Sequence, residues 1–349
     1  MKNKLQKTGI LLVNLGTPDS FRVKDVRIYL REFLMDKRVI DIPFVSRWAL
    51  VNLIIAPFRA PKSAAVYKKL WRDRGSPLLF YGNDLKDALQ ERLGDSVVVE
   101  LAMRYQNPSI KEGLSKLASH NLSRIVIAPL FPQYASATSG SIMDKCMEII
   151  RKRQVIPELL FIDKFFDHPE FIKTLTAIAA PYLEKEDYDF FVFSYHGVPE
   201  RQIMKASRDN YCRLDDACCA VYGEKNEFCY RAQCYENTKL LASALGIPAG
   251  RYATTFQSRL GNDPWIQPYT DDFLKQLPAK GYKKVLAFSP SFVADCLETT
   301  IEVGEEFKHM FLEAGGEKWD FVESLNAHPA WVEFLANFLA GKIEGLKAN

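Results

Sequence analysis

The sequence predicts an α/β protein built from two Rossmann-like lobes, each a parallel sheet flanked by helices. Three observations carry that reading. Short β-branched runs alternate with longer stretches of helical periodicity, the order that βαβ units produce. The runs are apolar almost throughout, the mark of strands covered on both faces. The chain has 349 residues, enough for about two domains at roughly 150 residues each.

In chain order, Ile10–Leu15 is apolar except for Asn14 and stops at Gly16, as a buried first strand does. Further strands are expected at Val97–Met103, Ile125–Leu130, Leu159–Ile162, Phe190–Ser194, Ala253–Gln257 and Val285–Ser289. Helical spacing marks Leu85–Leu93, Ile110–Ala118, Glu170–Leu183 and Tyr235–Leu245. Dividing the chain at 165/166 gives lobes 1–165 and 166–349, with an apolar stretch at about 34–58 and a Cys-rich insertion at about 207–234. No fixed-period repeat relates the halves.

Hydrophobic residues make up 48% and charged residues 26% of the chain, which excludes a disordered or fibrous protein. Lys+Arg exceed Asp+Glu by 46 − 43 = 3, too near balance for a nucleic-acid binder recognised by bulk charge. The most apolar segment, Trp48–Phe58, is too short for a membrane span and contains Asn52 and Pro57. Met1–Leu5 is basic and carries no signal-cleavage pattern, so a cytoplasmic location is expected.

Open α/β sheets bind ligands beyond the carboxyl ends of their strands, so the residues there are the first candidates for chemistry. His196 follows Phe190–Ser194 and precedes Gly197; it suits a base or metal ligand near neutral pH, or a hydrogen-bonded loop histidine. Glu298, Glu302 and Glu306 recur at i, i+4 and i+8 on one expected helix face, a row that either accepts a divalent cation or stays solvated. Gly16 ends a strand but opens no GxGxxG, so a dinucleotide site is unsupported.

Five of the seven cysteines lie between Cys212 and Cys234. A disulfide framework does not suit a long chain without a secretion signal, and the lack of Cys-x2-Cys pairs argues against a zinc ribbon. Four thiolates suffice for a [2Fe–2S] cluster. The crowd of charged residues favours a metal centre over inert buried thiols.

These residues also carry a family resemblance. Asn14–Pro18, Arg104-Tyr105, Phe131–Tyr134 with Ser139-Gly140-Ser141, Ser194–Pro199, Phe256–Arg259 and Cys296–Thr299 resemble, in the same order, the blocks of ferrochelatases. The resemblance implies two Rossmann-like, chelatase-like lobes with a porphyrin cleft between them, and insertion of Fe²⁺ into protoporphyrin IX. By resemblance His196 and Glu298 take the catalytic, iron-facing positions, while Leu15, Arg104, Tyr105, Gln257 and Trp265 line the porphyrin pocket. Glu302 and Glu306 match a carboxylate row of the family. Cys296 stands where some members have a second histidine, which disfavours a two-histidine metal scheme. The stretch 34–58 corresponds to an apolar lip suited to a poorly soluble ring, a membrane surface or a haem-pathway partner.

Some ferrochelatases resemble this chain in placing a [2Fe–2S] cluster in an internal segment. The expected ligands are Cys212, Cys219, Cys229 and Cys234, with Cys218 as the substitute for Cys219. No cysteine follows Cys296 up to Asn349, so a C-terminal cluster is not expected. The competing readings are a coproporphyrin ferrochelatase, a cobalt or nickel chelatase of similar fold, a non-catalytic porphyrin binder, and an iron–sulfur electron carrier.

Overall fold

Ile10, Leu11, Leu12 and Val13 expose no surface at all, because helices cover both faces of the strand they belong to. The computed structural model describes residues 7–259, 261 and 263–345, so Met1–Leu5 and Asn349 lie outside the described residues. Strands β1 (Thr8–Gly16), β2 (Val97–Tyr105), β3 (Arg124–Pro129) and β4 (Glu158–Phe161) form one sheet in the order β2-β1-β3-β4. Strands β5 (Phe190–His196), β6 (Tyr252–Gln257), β7 (Lys284–Phe288) and β8 (Lys318–Phe321) form a second in the order β6-β5-β7-β8. Every pairing in both sheets is parallel, as the sequence predicts.

The two orders are the same order, shifted by four strands. The chain therefore repeats a topology without repeating a residue pattern. In each sheet the direction in which successive strands are added reverses between β1 and β3 or β5 and β7, the switch point where such sheets open a crevice for ligands.

Two compact units result. The first takes in the described residues of Met1–Phe131, Ser136–Asp163 and Asn326–Asn349; the second takes in Pro132–Ala135 and Lys164–Leu325. In the first, Leu11, Val13, Ala102, Leu114, Ile125, Ile127 and Cys146 form a core of buried side chains. The C-terminal helix Pro329–Gly345 packs on Pro77–Leu93, where Arg92 holds Glu333 at 2.7 Å. In the second, Val192, Val285, Ala287, Phe307, Phe311 and Trp319 fill the space over β5 and β7.

One strand and one helix type differ from expectation. β8 has four residues with charge at both Lys318 and Asp320, too short and too polar for a buried-strand pattern. The acidic row lies in a π-helical segment, Leu297–Phe307, not in the α-helix its spacing suggests. Its wider turn leaves the Val303 carbonyl to accept from the Trp319 indole at 3.0 Å, and such turns gather at functional sites. Among the described residues no helix is long and apolar enough to cross a membrane.

Candidate functional site

His196 is the last residue of β5, paired in register with Gln257 of β6. Its Nδ1 lies 2.6 Å from the Gly197 carbonyl oxygen. A carbonyl only accepts, so Nδ1 carries the proton and the neutral ring keeps its lone pair on Nε2. The ring is half-buried, with the Trp265 and Phe292 rings 6.3 and 6.4 Å away between centroids. Glycine at 197 is a requirement of space. A Cβ there meets the Gln257 carbonyl at 3.0 Å and the Trp265 ring at 3.1 Å.

Gln257 ties the histidine strand to the acidic segment after β7. Its Oε1 accepts from Ser194 at 2.6 Å, and its Nε2 donates to the Glu298 carbonyl at 3.0 Å and to Glu302 at 3.1 Å. Ser258 adopts a left-handed backbone, φ 66°, and so turns both its N–H (3.0 Å) and its hydroxyl (2.5 Å) onto Glu302. Burial pushes the Glu302 carboxyl up to about 7, helped by Glu298 and Glu306 and only partly offset by Ser258 and Gln257. Glu298 is half-buried and Glu306 exposed. The Cys296 thiol, hydrogen-bonded to Glu298, is pushed well above its ordinary value by burial and by that carboxylate. The second unit thus brings together His196, Gln257, Trp265, Glu298 and Glu302.

The first unit holds the other expected pocket residues. Leu15 is half-buried at the end of β1. Next to it, Gly16 has φ +117° and faces Tyr105 so closely that a Cβ would lie 2.0 Å from the Tyr105 carbonyl; only glycine fits. Arg104 and Tyr105 end β2, and both reach Asp36. The Asp36 Oδ2 accepts from Arg104 at 2.6 Å, Tyr105 at 2.9 Å and Ser141 at 2.5 Å. The Arg104 Nε also donates to the Ser141 hydroxyl at 2.7 Å, and its guanidinium lies over the Tyr105 ring at 4.5 Å. Burial raises the Asp36 value, but Ser141, the Arg38 N–H, Arg104 and Tyr105 together outweigh it and leave the carboxyl below its usual range. Burial beside that charge pushes the Tyr105 phenol far up.

Asp36 was not singled out by sequence; it sits inside the apolar stretch 34–58 and belongs to no motif. That stretch forms helix Phe44–Ala49, π-helical Leu50–Ile55 and the start of helix Ala56–Leu70. Phe44, Val45, Leu53, Ile54 and Phe58 are each more than half exposed, and Trp48 nearly so. Such a cluster exceeds the scattered apolar exposure of an ordinary surface.

The Cys-rich segment leads into the helix Tyr230–Ala244, with Cys229 at its N-cap. All seven cysteines are free thiols and buried. Within the segment the thiols meet in pairs: Cys212 bonds Cys218, and Cys219 bonds Cys229. Cys218 and Cys219 Sγ lie 4.0 Å apart, and Arg231 donates to Cys219 Sγ at 3.4 Å. The Cys219 thiol and the N–H groups of Ala232 and Arg231 hold the Cys229 value down despite burial. Cys234 lies one turn deeper, fully enclosed and hydrogen-bonded to Tyr230. Among the described residues no group of three or more His, Cys, Asp or Glu is placed to hold a single metal ion. An all-sulfur set in two contacting pairs nevertheless suits a two-iron cluster, in which each iron takes two thiolates.

The family model described as Ferrochelatase matches residues 7–342. A ferrochelatase of Legionella pneumophila (strain Corby) is 44% identical over 338 residues, 97% of this chain and 100% of its own length. A ferrochelatase of Coxiella burnetii (strain Dugway 5J108-111) is 43% identical over 331 residues, 95% of this chain and 92% of its own. Among solved structures, the sirohydrochlorin chelatase SirB from Bacillus subtilis subspecies spizizenii, in complex with cobalt, superposes with a TM-score of 0.52 at 10% identity over 98% of both chains. That likeness shows the fold.

Proposed function

The chain belongs to the ferrochelatase family, and we propose that it inserts Fe²⁺ into protoporphyrin IX to give protohaem, the terminal step of haem synthesis. The observation that carries the reading is the Nδ1 bond of His196 to the Gly197 carbonyl, which leaves the Nε2 lone pair free on a strand whose paired residue Gln257 binds the Glu302 carboxyl.

Metallation exchanges two pyrrole protons for one Fe²⁺. His196 Nε2 takes a proton as it leaves the ring. Glu302, with a value of about 7, both accepts and releases a proton at neutral pH, so it passes the charge onward toward exposed Glu306. Glu298 holds the incoming iron with exchangeable water, since a closed multi-ligand cage would trap it. The half-buried Leu15 and Trp265 offer apolar surface to the porphyrin, while Tyr105 and Gln257, expected there as well, are buried and brace the wall from behind. Arg104 enters as half of a neutral pair with Asp36. It shapes the wall more than it neutralises a propionate.

The apolar lip at 44–58 supports contact with the poorly soluble ring or a membrane surface, in a cytoplasmic, peripherally associated enzyme. For the Cys-rich segment we propose a [2Fe–2S] cluster, which when bound supplies a one-electron centre. Cys212, Cys219, Cys229 and Cys234 would hold it, with Cys218, whose thiol meets Cys212, as the substitute for Cys219.

One experiment tests both parts. Anaerobically purified protein is given Fe²⁺ with protoporphyrin IX or coproporphyrin, and metalloporphyrin is read by visible absorption beside iron and sulfide analysis. Protohaem formation with two irons and two sulfides per chain is expected. Preference for coproporphyrin would change the substrate, absence of any turnover would leave a porphyrin binder, and zinc without sulfide would refute the cluster.

A further inference from the structure

We infer that Tyr230 is a positioning residue for His196, its phenol holding the peptide that fixes the histidine tautomer. The inference rests on the reading of His196 as the base. Tyr230 opens the helix Tyr230–Ala244 and is buried. Its hydroxyl donates to the His196 carbonyl at 2.9 Å and lies 3.2 Å from Ser291 Oγ. A phenol has one proton. With that proton committed to a carbonyl, the Ser291 hydroxyl and the Cys234 thiol donate to the phenol oxygen.

The accepting carbonyl belongs to the peptide that joins His196 to Gly197. The N–H of the same peptide donates to the Gln257 carbonyl at 2.8 Å. The peptide plane is therefore held at both edges, by β6 on one side and by Tyr230 on the other. That plane aims Gly197, and the Gly197 carbonyl is what meets His196 Nδ1 at 2.6 Å. Glycine has the freest backbone of any residue, so releasing one edge of the plane loosens the direction of the Gly197 carbonyl. A ring that loses this acceptor distributes its proton over both nitrogens. The tautomer protonated at Nε2 has no lone pair for a pyrrole proton.

The test uses the full chain with Tyr230→Phe, which keeps the ring and removes only the hydroxyl. The kcat is expected to fall about tenfold, the worth of one hydrogen bond, with KM for porphyrin within about twofold. In protein labelled with ¹⁵N-histidine, His196 is expected to shift from the Nδ1–H tautomer toward a mixture. Ser291→Ala leaves the donation to His196 intact and is expected to keep both tautomer and kcat. A purely structural role would lower stability without moving the tautomer. An unchanged kcat, or a fall in kcat with an unchanged tautomer, overturns the inference. Should Tyr230→Phe not fold, the unaltered protein still decides: an Nε2–H tautomer at His196 refutes the arrangement. Failure of the base reading appears separately, as full turnover in a protein lacking His196.

Discussion

Asp36 in the first unit and Glu302 in the second are both largely enclosed carboxyls beside strand ends, yet their environments move them in opposite directions. Asp36 is held below its ordinary value; Glu302 is pushed up to about 7. Each accepts from a serine hydroxyl at 2.5 Å, so hydrogen bonding to serine is not the difference. At Asp36 the Arg38 N–H and the Tyr105 phenol add to it, and so does Arg104. Arg104 supplies a full positive charge 2.6 Å from Asp36, whereas Glu302 has the neutral donors Ser258 and Gln257 and two carboxylates, Glu298 and Glu306, as like charges. A paired carboxylate is a brace with no proton to give near neutrality. An unpaired one pays desolvation and becomes a group that titrates where an enzyme works.

If the second unit is the reactive one, the largest effect belongs there. His196→Ala is expected to lower initial metal insertion by about 10²- to 10⁴-fold, the range for loss of a positioned base. Far-ultraviolet circular dichroism and porphyrin binding should stay near normal, because the side chain is half-buried and its backbone pairing survives. Near-normal turnover would move the chemistry away from β5 and erase the contrast between the units.

The brace predicts a stability effect instead. Asp36→Asn leaves the Arg104 charge without its counter-ion at a side chain only 13% exposed, which should cost about 3 kcal/mol in denaturant unfolding. The pH dependence has a definite sign. Because the folded value is depressed, the stability Asp36 contributes is present above its unfolded value of about 3.8 and is lost as pH falls through the lower, folded value. The gap between the variant and the natural protein should therefore close only in strong acid. A variant as stable as the natural protein at neutral pH would show that the pair is no brace.

The contrast explains what was legible in the sequence. His196, Gln257 and the acidic row lie at strand ends or at a fixed spacing, and both signals are local. Most strands were legible as apolar runs, each of which reports its own burial, but the order in which they pair was not. Asp36 left no such trace, for its role depends on Arg104, Tyr105 and Ser141, which are 68, 69 and 105 residues away. Tyr230 was hidden in the same manner, since its partner His196 precedes it by 34 residues. The π-helical turn of Leu297–Phe307 was also unreadable, because residues four apart stay near one another in either helix type. The return of Pro329–Gly345 to the first unit is a tertiary choice that no local pattern carries.

The smallest effect expected is the sharpest test of the unpaired carboxyl. Glu302→Gln keeps size but cannot ionise; its amide oxygen still accepts from the Ser258 N–H and its NH2 donates to the Ser258 hydroxyl, while the Gln257 donor loses an acceptor at every pH. In the natural protein the folded value of about 7 lies above the unfolded value of 4.5, so folding favours the protonated form. The stability tied to that proton is fully present below about pH 4.5 and is lost as pH rises through about 7. The variant has no such loss. Relative to the difference near pH 4.5, it should gain on the order of 2 kcal/mol over the natural protein above pH 7, the roughly 3 kcal/mol of the full rise discounted for the partial exposure of the side chain, as read from guanidinium midpoints at pH 5, 6, 7 and 8. The sign is the reverse of that at Asp36, where losing the carboxylate destabilises at neutral pH. Stabilisation accompanied by slower turnover would mean that the second unit carries an ionisable group at the expense of its own stability, as a proton-transfer site does. A difference that stays flat with pH would mean that Glu302 is ionised at no cost, and the two carboxyls would no longer differ in kind.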